Sequence, residues 1–381
     1  MPRLLHLADL HLGWTPRDLP ADTAAAVRGR RDALLAQAVD LALAERVDLV
    51  VIAGDLFESY RPEPGLVAAA LRQLGRLVEA GVALVTVPGN HDELTYARSV
   101  YRLEAESWPG VLVTRPDPGP VASVRLAGVD VHVTALAYVG GVTPTHEPLR
   151  RFPRAAGEGI QLAAFHGTLV GPHVRPGDPF AGGRSLPIDQ RALAAAGFDY
   201  VALGHLHVPQ EVPLAGGGLA VYPGCVGGKG PGDPGAERWT LVDLRPGAPA
   251  VRRVPAAVAP VWTRDVDVGA FDDADGLAAH LRTMAAPETW GRVRLRGAVG
   301  FGLDPAALHA RAADAFLHLE VEDATTSVDP ALLDRWAAQP TVRGEFVRRL
   351  RARLAEADDE RARTLATRAL RHGLHALDGE P

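Results

Sequence analysis

Three short apolar runs near the start of the chain constrain its fold most. "RLLHLA" (3–8), "VDLVVIAGD" (47–55) and "VALVTVPGN" (82–90) each hold four to seven mostly branched apolar residues and end in a polar loop. A strand exposed on one face alternates apolar and polar residues, whereas an unbroken apolar run marks a strand covered on both faces. Between the runs, residues 28–45 and 64–79 carry Leu, Val and Ala at helical spacing. This βαβαβ order predicts parallel strands with right-handed crossovers, and a ligand site beyond their carboxyl ends.

A helix over 93–106 is expected next. "GVLVTR", "VASVRLAGVDVHVTALAYV" and "IQLAAFHG" then read as strands, the middle pair turning at Gly128. A helix at 189–196 precedes the strand "DYVALGHLH", with further strands at 219–222 and 238–244. Mixed parallel and antiparallel strands with flanking helices predict two sheets packed face to face, an α/β sandwich. The Pro- and Ala-rich segment 245–262 reads as a linker. Beyond it a small βαβαβ module is expected (strand 263–268, helix 272–284, strand 291–299, helix 305–313, strand 316–322), then helices over 330–377. The expected division is a main domain over 1–258, a small α/β cap domain over 259–325 and a helical region over 326–381.

Composition closes several alternatives. Of 381 residues, 47% are hydrophobic and 23% charged, which excludes a disordered chain. One cysteine, Cys225, leaves no intrachain disulfide and no thiolate zinc site. His6, Asp9 and His11 interrupt the first apolar segment too early for a secretion signal, and no run of about 18 apolar residues occurs. A soluble, cytoplasmic protein with no membrane span is the expectation. The net charge of −6 does not announce a nucleic-acid binder, but a local basic surface suffices for one. Lys229 is the single lysine, which reads first as a composition bias toward arginine.

Five short motifs stand at the ends of strand-like runs: Asp9-Leu10-His11, Gly54-Asp55, Gly89-Asn90-His91-Asp92, His166-Gly167 and Gly204-His205-Leu206-His207. Singly each is weak, but together they would emerge on one rim of the sheets. They supply imidazole nitrogens and hard oxygens without thiolate, which suits Mn²⁺, Fe, Zn²⁺ or Ni²⁺ rather than Ca²⁺. Seven ligands exceed the needs of one ion with open positions and suit two ions sharing a carboxylate. Two divalent ions would activate water and offset charge during in-line attack on a phosphodiester.

At these residues the chain resembles the calcineurin-like metallophosphoesterases. The longer strings "HLADLHLG", "GDLF", "VPGNHD", "DYVALGHLH" and "YPG" are similar to the SbcD-type subset, nuclease subunits of bacterial double-strand-break repair complexes. The resemblance covers residues 3–225 and implies a four-layer αββα sandwich. It implies one metal on Asp9, His11 and His207, a second on Asn90, His166 and His205, and Asp55 bridging them. It implies His91 as the catalytic acid or transition-state stabiliser, oriented by Asp92, with Mn²⁺ as the first candidate metal. It also implies DNA as substrate, an SbcC-like SMC ATPase as partner, and a homodimer. The sequence departs from relatives at Glu58, where many carry a second histidine, and at Cys225, where many carry serine.

Two other functions stay open. One is a nucleotidase, cyclic-nucleotide phosphodiesterase or phosphatase on the same scaffold. The other is a non-catalytic DNA-binding scaffold protein. Arg98 and Arg102, on the expected 93–106 helix, are candidate contacts to DNA or to a second protomer, and His173 lies in a loop that could cover the metals. His6 reads as a packed or supporting residue rather than a ligand. Arg292, Arg294 and Arg296 share one face of a strand, either to meet phosphates or to pair with carboxylates such as Glu320 and Glu322 on a neighbouring strand. The tail positions Phe346, Leu350, Leu354, Leu365, Leu370 and Leu374 fit either internal packing or a partner's helix.

Overall fold

The computed structural model describes residues 1–171, 185–299, 301–325, 327–328 and 330–378. The chain divides into two compact units, one of residues 1–229 and 233–258, the other of residues 230–232 and 259–381.

The first unit begins with β1 (Arg3–Leu7), α1 (Ala21–Asp32), α2 (Leu34–Ala44), β2 (Leu49–Ala53), α3 (Pro64–Glu79) and β3 (Ala83–Val87). Next come α4 (Val100–Leu103), β4 (Val111–Leu112), β5 (Gly119–Leu126), β6 (Val129–Ala135), β7 (Ile160–His166), β8 (Thr168–Val170) and β9 (Pro187–Asp189). It closes with α5 (Gln190–Ala195), β10 (Tyr200–Gly204), β11 (Gln210–Pro213), β12 (Leu219–Tyr222), β13 (Arg238–Asp243) and β14 (Ala250–Pro255).

Two six-stranded sheets result, ordered β14-β13-β1-β2-β3-β4 and β11-β12-β10-β7-β6-β5. The β1, β2, β3 and β4 strands are parallel, as are β6, β7, β10 and β12, while the antiparallel pairs lie toward the other edges. β2, β7 and β10 are buried along their whole length, β2 and β10 as unbroken apolar runs require and β7 with Gln161 buried among its apolar residues. The inner faces share one core, in which Leu4, Val51 and Val85 pack with residues such as Val133, Leu162 and Ala202. α2 and α3 cover the outer face of the first sheet through Leu35, Val39, Leu74 and Leu77. Leu193 of α5 joins Phe165, Val201 and Leu203 in a separate cluster on the second. The unit is thus a four-layer α/β sandwich.

Three local expectations need correction. The helix expected over 28–45 is two helices, α1 and α2, meeting at Ala33. Within 93–106 only Val100–Leu103 is helical. Side chains hold that segment instead: Glu93 accepts from the Gly140 N–H at 2.8 Å, and Arg102 donates back to the Leu94 carbonyl at 2.5 Å. The segment 245–262 is not a bare linker, because β14 pairs with β13 over six residues and completes the first sheet's edge.

The second unit holds β15 (Val261–Asp267), α6 (Ala274–Thr283), β16 (Trp290–Arg296), β17 (Ala298–Val299), α7 (Pro305–Ala312), β18 (His318–Asp323) and β19 (Ser327–Val328). Helices α8 (Pro330–Ala337), α9 (Val342–Ala355) and α10 (Glu360–Asp378) follow. β15, β16 and β18 form a parallel sheet. Its core extends into the helices, where Leu332, Val347, Leu350, Leu370 and Leu374 pack with Leu277, Val293 and Leu319. Of the six tail positions considered for a partner, Leu350, Leu370, Leu374, Phe346 and Leu354 serve this core, and Leu365 stays exposed. The arginine comb is paired: Arg292 with Glu320 at 2.7 Å, and Arg294 and Arg296 with Asp265 at 2.8 and 2.7 Å. Among the described residues, no helix is long and apolar enough to cross a membrane.

Candidate metal centre

Each chemical motif begins where a buried strand runs out. Asp9 and His11 follow β1, Asp55 follows β2, Asn90 and His91 follow β3, His166 ends β7, and His205 and His207 follow β10. The backbone turns sharply there: Asp9, His11, Asp55 and His205 all have positive φ, at 55°, 48°, 51° and 99°. Non-glycine residues rarely adopt that region, and each such position costs on the order of 1–3 kcal/mol, so the surrounding bonds must enforce it. They do. Asp9 N–H donates to the Gly54 carbonyl, His11 N–H to the Asp55 carbonyl, and His205 N–H to the Asp9 carboxylate at 3.0 Å. Gly204 permits the two sheets to approach, since a Cβ there would lie 1.9 Å from the Ala53 carbonyl oxygen.

Side chains from both sheets then converge. His166 Nδ1 donates to the Ala53 carbonyl at 2.9 Å, which directs Nε2 at Asn90 Oδ1, 2.9 Å away, and at Asp55 Oδ2, 3.3 Å away. His205 Nδ1 lies 3.1 Å from the same Asn90 oxygen. His11 Nε2 faces His207 Nε2 at 3.1 Å and Asp55 Oδ2 at 3.8 Å. Ligand atoms of Asp9, His11 and His207 lie within 4.8 Å of one another, and so do those of Asp9, Asp55 and His166.

These groups fit divalent cations. His207 Nδ1 is engaged by the Asp233 carboxylate, so its Nε2 carries a lone pair. Glu58 Oε2 lies 2.8 Å from His11 Nδ1, a charge contact without hydrogen-bond alignment. His11 Nε2 faces His207 Nε2 at 3.1 Å, and with both rings in the Nδ1–H tautomer the two nitrogens would present lone pairs to one cation. Protein groups alone leave the charge awkwardly distributed. Burial, with Asp55 alongside, lifts Asp9 above the usual carboxylate range. Burial opposes ionisation of Asp55 too, but His166, His11 and His91 together hold it well below that range. Burial works against charge on His166, yet Asp55 beside it pushes it up to about 9. Burial and the neighbouring His166 push His205 down to about 3.

His91 is one-third exposed at the rim; its ligand atom lies within 4.8 Å of those of His11 and Glu58, a third grouping beside the other two. Its N–H donates to Asp55 Oδ1 at 2.8 Å, and its Nδ1 donates to the Glu58 carbonyl at 3.1 Å, leaving Nε2 bare. The Asp92 carboxylate accepts from Gly89 N–H, Phe57 N–H and Tyr101 Oη at 2.8, 3.1 and 2.8 Å, and so clamps the loop beneath His91. Burial, with Asp55 adding to it, lifts Asp92 to about 6. Arg98 is exposed, Arg102 is engaged with Leu94, and His173 lies outside the described residues. His6 is buried between the sheets, its Nδ1 2.9 Å from Tyr200 Oη.

Sequence reasoning passed over Asp233, Glu58 as a charged neighbour, and Lys229, whose Nζ lies 2.8 Å from Glu58 Oε2. Asp233 and Lys229 sit in a Gly- and Pro-rich loop with no motif to mark them. The unusual single lysine was the one available signal.

A two-sheet α/β sandwich bearing carboxylates and imidazoles at one rim is the arrangement of a metal-dependent phosphoesterase. The calcineurin-like phosphoesterase pattern matches residues 2–209, more than half of the chain, and the chain belongs to that family. It is similar to a DNA double-strand break repair protein Mre11 of Methanopyrus kandleri, 29% identical over 238 residues, 58% of this chain and 48% of the relative. It is also similar to the uncharacterized metallophosphoesterase YhaO of Bacillus subtilis, 26% identical, covering 64% of this chain and 57% of the relative. The SbcD component of the nuclease SbcCD from the same organism is 28% identical, covering 65% and 68%. The matches span about half to two thirds of those relatives' own lengths.

Proposed function

We propose that this chain is a two-metal phosphodiesterase that cleaves DNA during double-strand-break repair, as exonuclease, endonuclease or both. The convergence of Asp9, His11, Asp55, Asn90, His166, His205 and His207 from two sheets onto one rim carries the reading. The name of the Mre11 relative supports the choice of DNA, and that of the SbcD relative supports a nuclease. Asp9, His11 and His207 would hold one ion, Asn90, His166 and His205 the other, with Asp55 shared and Mn²⁺ the first metal to try. Bound there, two divalent ions supply a water acidic enough to ionise near neutral pH and offset charge on the phosphoryl oxygens.

The protein's own part is positioning and proton transfer. Asp55 Oδ1 holds the backbone of His91, so the site's central carboxylate also fixes its acid. With Nδ1–H committed to the Glu58 carbonyl, a proton on His91 Nε2 is the one available to a leaving oxygen. An SbcC-like ATPase partner and a two-fold dimer belong to the same proposal, since the SbcD relative is by name one part of a larger nuclease. The test is Mn²⁺-dependent hydrolysis of DNA with defined ends, alone and with the ATPase. His91→Ala is expected to lower kcat about 10²–10⁴-fold, the range of general acid–base catalysis, while the fold is retained. No cleavage of DNA in any metal, with or without the partner, sinks the proposal.

A second reading keeps the chemistry and changes the substrate to a small phosphoester. The pairing of Arg292, Arg294 and Arg296 with carboxylates favours it, because it removes the most obvious phosphate-tracking surface. Efficient turnover of a nucleotide or cyclic nucleotide without DNA cleavage is its signature.

A further inference from the structure

Resting on the reading of this rim as a dinuclear metal centre, we infer that Asp233 is a positioning residue. It fixes His207 in the ligating tautomer and orientation. The Asp233 carboxylate engages His207 Nδ1 directly, while Nε2 on the far side of the ring points at His11 Nε2, 3.1 Å away. An imidazole has one proton to place when neutral. A carboxylate at Nδ1 holds it there and leaves Nε2 as the lone-pair donor, and it also makes that nitrogen more basic. His207 is more exposed than His166 of the same sheet, which is wholly buried and bonded to backbone. It therefore depends more on a side-chain partner for its aim.

The loop is built to keep Asp233 in place. Lys229 N–H donates to the Asp233 carbonyl at 2.7 Å, and Cys225 N–H donates to the His207 carbonyl at 2.8 Å, tying both ends of the contact to one turn. Gly228 has φ +55°, and a Cβ there would lie 2.4 Å from the Pro234 carbonyl oxygen and 2.6 Å from that of Asp233. Only glycine fits. The buried Arg31 guanidinium donates at once to the Leu10 carbonyl, between Asp9 and His11, and to the Gly228 carbonyl. One cation thus locks the loop that carries Asp233 to the loop that carries the facing ligand. Glu58 bears on His11 less directly. It reaches Nδ1 at 2.8 Å without hydrogen-bond alignment and is shared with Lys229.

The test is calorimetric titration of EDTA-stripped protein with Mn²⁺ alone, paired with ¹⁵N shifts of the His207 ring in the metal-free state. Asp233→Ala is expected to weaken one of two Mn²⁺ sites about 10–100-fold, to leave the other nearly unchanged, and to release His207 from the Nδ1–H tautomer. Asp233→Glu is expected to recover part of the affinity. If alanine unfolds the chain, Asp233→Asn decides, with a loss of about threefold or more expected from removing the charge on the acceptor. Wild-type affinity and an unchanged tautomer in the variant that folds overturn the inference while leaving the metal centre standing. A wild-type chain that takes up fewer than two Mn²⁺ overturns the metal-centre reading itself.

Discussion

His166 of the second sheet donates from Nδ1 to the carbonyl oxygen of Ala53 in the first, across 2.9 Å. The bond does two things at once. It pairs a backbone oxygen at the end of a fully buried strand, and it turns Nε2 toward Asn90 and Asp55. In His166→Ala the metal-free protein should lose about 1–3 kcal/mol, the cost of leaving the Ala53 carbonyl unpaired. Metal uptake should fall to about one ion per chain, since a three-ligand set loses one member. Urea denaturation and elemental analysis check the two effects separately.

Metal should stabilise the fold through the ligands and not through His91. At a free Mn²⁺ concentration about 100 times its Kd, linkage gives roughly 2.7 kcal/mol, which EDTA should abolish. His91→Ala should keep that gain, whereas Asp55→Ala should lose it. A His91→Ala protein unresponsive to Mn²⁺ in a thermal melt would make His91 a ligand and not an acid.

Gly204→Ala is expected to destabilise the protein by about 1–3 kcal/mol or more, the usual cost of forcing atoms into a packed core. The new Cβ falls on the Ala53 carbonyl, a backbone atom that cannot swing aside. A stability within about 0.5 kcal/mol of wild type, the range of an ordinary surface change, would show that the sheets slide apart easily.

His6 should make the fold sensitive to mild acid. Burial, with Arg253 adding to it, pushes His6 down to about 3, far below its ordinary value of 6.5. A depressed imidazole favours the neutral native form, so its contribution is complete above about 6.5 and is lost as pH falls from there toward 3. Between about pH 6.5 and about pH 5 that amounts to roughly 2 kcal/mol. Urea denaturation of metal-free wild type and His6→Leu at about pH 7 and about pH 5 compares them. The variant should lose about 2 kcal/mol less than wild type over that interval, and equal losses refute the assignment.

Legibility in the sequence followed the strength of local pattern. β2, β7 and β10 were visible because strands buried on both faces leave largely apolar runs, and each run ends at a residue that the structure brings to the common rim. The segment after Asp92 was misread, since its helical spacing competes with side-chain bonds from Glu93 to Gly140 and from Arg102 to Leu94. No sequence pattern reports such long-range pairs. β14 was hidden by Pro246 and Pro249 before it and Pro255 at its end, and by lying at a sheet edge, where composition is permissive. Asp92 looked like a partner for its neighbour His91, yet its oxygens face backwards to Phe57, Gly89 and Tyr101. Asp233 was invisible for the opposite reason: its partner His207 is 26 residues away.

The order of the strands has a bearing on biosynthesis. Asp9, Asp55 and Asn90 leave the ribosome early, but β1 lies between β2 and β13, and β13 begins only at Arg238. The imidazoles of the second sheet arrive from His166 onward, and Asp233 comes after all of them. A truncated or stalled chain would therefore display scattered carboxylates and no hydrolytic centre. The full set of candidate ligands is assembled only when the main unit is essentially complete, and under the proposed function an unfinished copy lacks the phosphoesterase centre.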